Sequence, residues 1–313
     1  MGPIALTFEV SKALPAEVTG GLPTYIAAWL FLPDDQATLG PKPVTMALLA
    51  GGSYDKRYYH VEVPGREGYS CGEYLAAKGN VVLALDHLGV GESTRVPDQK
   101  RAVRAIVAAA MHAAVEQFYG QIRSGTLHAS LPTLEDFVRI GGGHSMGAMM
   151  TVIQQANHAS YDAIMVLGYT ADGVHITMNG SKLCAATLIP QSEGPDYSVA
   201  DRGPMHENFH WPDVPADVIA VDDTLSVETP SRIGIVSIET GIIREEAAKI
   251  TVPVYLCNGE QDVSPDFHAE PGYYPNCPDI SLHLLPSSAH CQNFASTRQQ
   301  MWQRMHSWAQ MVQ

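Results

Sequence analysis

Short apolar runs recur along this chain, and from the third onward they are continuous rather than alternating. They are Thr7–Val10, Tyr25–Leu32, Val44–Ala50, Asn80–Asp86, Phe137–Gly142, Ala163–Tyr169, Val252–Asn258 and Ile280–Leu285. A strand with one wet face alternates apolar and polar residues, whereas a strand covered on both faces does not need to. The pattern therefore predicts a parallel sheet sandwiched between helices. Helix-like stretches at Cys71–Lys78, Asp98–Arg123, Met146–Asn157 and Ser296–Gln310 fall between or after the runs. Strands alternating with helices define an α/β architecture: an eight-stranded, mostly parallel sheet flanked by helices. The first two strands have no helix between them and are expected to enter antiparallel.

One region breaks the alternation. About eighty residues separate the sixth and seventh runs, including the Pro- and aromatic-rich HENFHWPDVPADV and the stretch Pro230–Ile250, with Thr229 as its expected N-cap. This predicts a core domain of residues 1–173 and 249–313, with an inserted helical cap over 174–248. With 45% hydrophobic and 17% charged residues in 313, the chain has ample material for such a core.

A net charge of −14 repels phosphate backbones and anionic lipid heads, which argues against nucleic-acid and membrane partners. The five cysteines (71, 184, 257, 277 and 291) are scattered and lack CxxC spacing, so reduced thiols are expected, with a single disulfide left open. The opening residues MGPIALTFEVSKALP do not form a secretory leader, and no run of 18 apolar residues occurs. A cytoplasmic location is the expectation, and the sequence leaves a homodimer open.

The stretch IGGGHSMGAMM carries Gly143-His144-Ser145-Met146-Gly147, a G-x-S-x-G pattern between a strand-like and a helix-like segment. Flanking glycines allow strand and helix to approach closely, which lifts the serine to the strand's C-terminal end. A serine hydroxyl needs a base to take its proton and an acid to orient that base. His290, in the loop PSSAHCQN after the last strand, is the expected base. His283 lies inside a strand, and His144 should point away on the turn. His206 and His210, with Asp213, form at most a weak metal cluster in the cap. Asp262, in NGEQD at a strand's end, is preferred as the acid over Asp172 in GYTADG, and neighbouring Glu260 is expected to turn outward.

These residues resemble the α/β-hydrolase fold superfamily, in particular capped serine hydrolases of carboxylesterase type. The chain order Ser145, Asp262, His290 is that family's order. DHLGVGES (Asp86 to Ser93) resembles its D-x-x-G-x-G-x-S turn, read here as turn geometry without a chemical role for Asp86. LLAGGS (Leu48 to Ser53) resembles its oxyanion turn, with Ala50 where histidine is common; Ser288 stands where glycine is common before the histidine. The resemblance implies a catalytic triad and an oxyanion hole from the amides of Met146 and of Gly52 or Ser53. It implies hydrolysis of a small-molecule ester or lactone without metal or organic cofactor. A thioester, an amide, a carbon–carbon bond or acyl transfer uses the same triad. A serine nucleophile, in place of aspartate, argues against haloalkane dehalogenase and epoxide hydrolase chemistry. A slow-turnover receptor on the same fold is the alternative of another class. Tyr54, His144, Phe209, Trp211 and Met178 are the candidate lining of an apolar pocket.

Overall fold

A computed structural model describes residues 2–190 and 194–312. Its centre is an eight-stranded sheet. In chain order the strands before the insertion are β1 (Ile4–Glu9), β2 (Tyr25–Phe31), β3 (Val44–Leu49), β4 (Asn80–Leu85), β5 (Val138–His144) and β6 (Ala163–Leu167). The insertion contributes an antiparallel hairpin, β7 (His175–Met178) with β8 (Ser181–Cys184), and a short pair, β9 (Tyr197–Ser198) with β10 (Thr229–Pro230). The sheet then ends with β11 (Val254–Gly259) and β12 (Ile280–Leu285). Its order is β1-β2-β4-β3-β5-β6-β11-β12. From β4 to β12 every neighbour pair is parallel, while β2 runs antiparallel to both β1 and β4.

The helices are α1 (Ala16–Thr19), α2 (Cys71–Ala77), α3 (Arg104–Ser124), α4 (Met146–His158), α5 (His206–Phe209), α6 (Ala216–Thr224), α7 (Ser231–Val236), α8 (Arg244–Ala247) and α9 (Arg298–Ala309). The strand pleat sorts the core into two layers. On β3, Ala47 and Leu49 pack with α3 and α4 residues such as Met111 and Met149. Its alternate residues Val44, Met46 and Leu48 pack with Leu75 of α2 and Trp302 of α9. Every residue of β3 and β4 is buried, as the continuous apolar runs predict.

Three local expectations change. The last strand is a sheet edge, with Leu282 and Leu284 40% and 45% exposed, so its apolar run does not report two covered faces. The long helix does not begin at Asp98. Asp98 instead caps a single 3₁₀ turn, Gln99–Arg101, through Lys100 N, and α3 starts at Arg104. Thr229 does not cap α7; its hydroxyl is taken by the amide of Ser53, 2.8 Å away. Among the described residues no helix is long and apolar enough to cross a membrane, and all five cysteines are free thiols.

Candidate active site

The strand β5 ends at His144, the helix α4 begins at Met146, and Ser145 alone makes the turn at φ 55° and ψ −123°. That conformation is costly for any residue with a Cβ and persists only where packing enforces it. The enforcement comes from the two glycines. A Cβ on Gly143 would stand 2.2 Å from the carbonyl carbon of Gly147, and one on Gly147 would stand 2.2 Å from Leu49 O. Strand and helix therefore meet at a distance that only glycine permits. Ser145 is part-exposed while its neighbours are buried.

His290 and Asp262 arrive from the loops after β12 and β11. His290 Nε2 lies 3.0 Å from Ser145 Oγ, and His290 Nδ1 lies 2.7 Å from Asp262 Oδ1. Asp262 also accepts from the amides of Gly259 and Val263, each at 2.8 Å, and from Gln292 Nε2 at 3.1 Å. Burial drives this carboxyl upward, but the facing imidazole and the two amides outweigh burial and hold it below its ordinary value. An ionised carboxylate only accepts, so the proton between it and His290 sits on Nδ1. Nε2 then presents its lone pair to the Ser145 hydroxyl.

His144 fixes the same loop from below. Its Nε2 is 2.7 Å from the carbonyl of His290, and its ring stacks on Tyr58 at 4.8 Å between centroids. Burial, with His290 alongside, pushes its pKa down to about 3. It is thus a neutral donor to the His290 main chain, and its other nitrogen has no partner.

The turn after β3 runs beside the helix start: a Cβ on Gly52 would come within 3.8 Å of Met146 Sδ. The amides of Gly52 and Met146 have no acceptor among the described residues. Ser53 does not share that freedom. Its amide donates to Thr229 Oγ1, and its carbonyl accepts from Val227 N at 3.0 Å and Arg202 Nη2 at 3.2 Å. Ser53 is therefore removed from the candidate oxyanion donors by a hydrogen bond already made.

Ser145 and His290 open into a cavity of about 280 Å³. Its apolar wall includes Val174, Ile176, Phe209, Ile235, Ile238 and Val263, and most of these belong to the excursion between β6 and β11. No Asp, Glu, Lys or Arg side chain contributes to the lining among the described residues. His144, Tyr54 and Phe209 are among the residues lining the cavity, whereas Trp211 and Met178 are not. Both pack against the two core layers instead, since a large apolar side chain gains as much there as against a ligand.

The Tyr54 hydroxyl turns away into a buried network. It lies 2.8 Å from Asp222 Oδ1 and accepts from Arg202 Nη1 at 2.8 Å; Arg202 and Asp222 are themselves ion-paired at 3.0 Å. Asp172, the rival acid, is half-exposed and paired with Arg244, and the carboxylate bonded to His290 is that of Asp262. His206, His210 and Asp213 do not converge. His206 Nε2 pairs with Asp223 and Asp213 accepts from Ser296, while His210 Nε2 stands 3.1 Å from Asp222. His283 bonds Tyr255, and Glu260 caps the amide of Ser287. Asp86 is held by Lys56 N, Lys56 Nζ and Glu92 N, which makes it a turn-builder. Gln292, Arg202 and Asp222 went unread in the sequence. Only Gln292, two residues beyond His290, carried a local signal; the other two are joined to the site by folding alone.

No protein-family model matches this chain, and no curated protein is significantly similar to it in sequence. Solved structures do resemble it. A monoglyceride lipase of Saccharomyces cerevisiae superposes with a TM-score of 0.68 at 12% identity, covering 100% of this chain and 95% of that one. A thermophilic esterase of Thermogutta terrifontis gives 0.64 at 12%, covering 100% and 99%. An N-acyl homoserine lactonase gives 0.53 at 14%, covering 99% and 96%.

Proposed function

Given that this chain has the α/β-hydrolase fold, we propose that it is a serine hydrolase cleaving a carboxylic ester or lactone of a medium-sized, largely apolar small molecule. The observation that carries this reading is the relay from Asp262 through His290 to Ser145, with contacts of 2.7 and 3.0 Å. In this reading Ser145 Oγ attacks the acyl carbon as His290 Nε2 takes its proton. The amides of Met146 and Gly52 receive the developing oxyanion, each worth ~3 kcal/mol of transition-state stabilisation. His290 then gives its proton to the leaving alcohol and activates the water that releases the acyl group. Asp262 stays ionised throughout and stabilises the transient imidazolium. The bent residue, the two free amides and a cavity without Asp, Glu, Lys or Arg among its described residues all support this chemistry. Residues 174–248 act as the cap that encloses the substrate.

A fluorophosphonate probe tests the reading. A covalent adduct on Ser145, with turnover of p-nitrophenyl acyl esters lost in Ser145→Ala, is the expected result. Ester turnover unaffected by Ser145→Ala would overturn it. A single slow turnover, in place of many, would favour the receptor reading.

A further inference from the structure

Among the described residues, two that line the cavity, His144 and Asn208, each carry a buried side-chain nitrogen without a partner, Nδ1 and Nδ2 respectively. His144 donates through Nε2 to the His290 carbonyl, so as a neutral ring its Nδ1 can only accept. Its Nδ1 is also packed against Gly51, where a Cβ would come within 3.1 Å. Asn208 is the unsatisfied donor. It lies in α5, is 1% exposed, and its orientation is not arbitrary. The amide of Thr177 on β7 donates to it at 3.0 Å, which requires an oxygen at that end. The NH₂ group is thereby fixed at the other end. Its main-chain carbonyl accepts from His290 N at 3.0 Å, which ties the residue directly to the loop of the base.

The buried hydroxyls of the lining each have at least one hydrogen-bond partner, so among the described residues Asn208 Nδ2 is the buried donor of the lining left with none. Ser237 donates to Gly234 O, Ser231 donates to Ser198, and Thr229 accepts from Ser53. A buried N–H without an acceptor is destabilising, and an acceptor on a ligand removes that cost. A pocket built around one such donor discriminates between a ligand that carries the matching acceptor and one that lacks it more strongly than an apolar wall discriminates one methylene from another.

We propose that the Asn208 side-chain amide is a substrate-recognition donor, and that the pocket takes neutral esters or lactones whose apolar body carries a second acceptor oxygen, such as a ketone or amide carbonyl, apart from the scissile group. The proposal rests on the serine-hydrolase reading above. Among the described residues the lining has no Asp, Glu, Lys or Arg, which disfavours carboxylate and ammonium as that second group, since neither finds a counter-charge there.

The experiment compares matched ester pairs that differ by one ketone in place of a methylene, placed at successive carbons of the acyl half in one series and of the alcohol half in another. Each rate is normalised to the hydroxide-catalysed rate of the same compound. The wild type should favour at least one ketone ester over its methylene partner by roughly tenfold or more in kcat/KM. That ratio should collapse toward one in Asn208→Leu and in Asn208→Asp. The aspartate keeps an acceptor for Thr177 N while removing the donor, so it separates recognition from folding; urea unfolding of both variants is measured alongside. No preferred ketone ester in either series, or a preference surviving in both variants, overturns the proposal. A wild type that turns over neither member of any pair and takes no probe on Ser145 defeats the hydrolase reading instead.

Discussion

Ser145 is held in a conformation of order 1–3 kcal/mol above its alternatives, and the glycines around it provide the constraint. Replacing it by alanine removes the hydroxyl but keeps the strain. Replacing it by glycine removes both. Ser145→Gly should therefore unfold at the same or a higher urea concentration than Ser145→Ala, reversing the usual 0.5–1 kcal/mol disadvantage of roughly that size for glycine. A midpoint clearly below that of the alanine variant would show an unstrained turn. Two buried imidazoles set a second expectation. His87 donates through Nε2 to Ala50 O at 2.8 Å, and burial lowers its pKa to about 4; His144 behaves alike at about 3. In the unfolded chain both bind protons near pH 6.5. Between pH 6.5 and those lowered values the unfolded state holds more protons, so stability falls on acidification. Asp262 adds to the loss only below the ordinary carboxylate range, because its folded value is depressed. The urea midpoint should decline from pH 7 to pH 4, and His87→Asn should flatten the decline; an unchanged slope would count against the assignment. The sequence exposed Ser145 because glycine spacing is a local signature. It exposed His290 and Asp262 because both follow strand ends. It hid the role of His144, whose contact to the His290 carbonyl depends on two loops meeting.

At the scale of elements, the excursion between β6 and β11 is fastened to the reacting loops by main-chain bonds. His290 N and Cys291 N donate to Asn208 O and Phe209 O, and both backbone groups of Ser53 bond to the excursion through Thr229, Val227 and Arg202. The Arg202–Asp222 pair that anchors this arrangement is 5% and 0% exposed. Removing one partner of a buried pair strands the other, so Arg202→Met should lower the unfolding free energy by about 3–5 kcal/mol. Thr229→Val leaves the pair intact but frees Ser53 N. It should reduce kcat roughly fivefold with little change in KM, the worth of one buried hydrogen bond. A fall confined to KM would place Thr229 in ground-state binding. None of this was legible beforehand. The sheet strands could be read because burial on two faces leaves an apolar record in consecutive residues. The excursion has short elements and mixed burial, so its pairings leave no periodic trace, and Thr229 looked like a helix cap because capping uses the same side chain.

For the whole molecule, a net charge of −14 surrounds a cavity whose lining carries no Asp, Glu, Lys or Arg side chain among the described residues. Long-range repulsion then acts on a charged ligand before any contact discriminates. An anionic ester, such as a p-nitrophenyl hemisuccinate, should be hydrolysed with a kcat/KM that rises with added salt, as screening shortens the range of the field. The neutral butyrate should respond little, and an equal response in both would remove the field from the explanation. The overall architecture was legible because one physical demand, a sheet covered on both sides, repeats from the third strand onward outside the excursion. Only the edge strand β12 escaped it, since an apolar sequence alone does not reveal where a sheet ends.

The bonds that run from Asn208 and Phe209 to the loop of the base make the pocket wall and the proton carrier one mechanical unit. A substitution that reshapes the wall for a new ligand pulls on the imidazole as well. Swapping this excursion for that of a structural neighbour would thus exchange selectivity and slacken the chemistry in the same step, unless the receiving loops were redesigned with it.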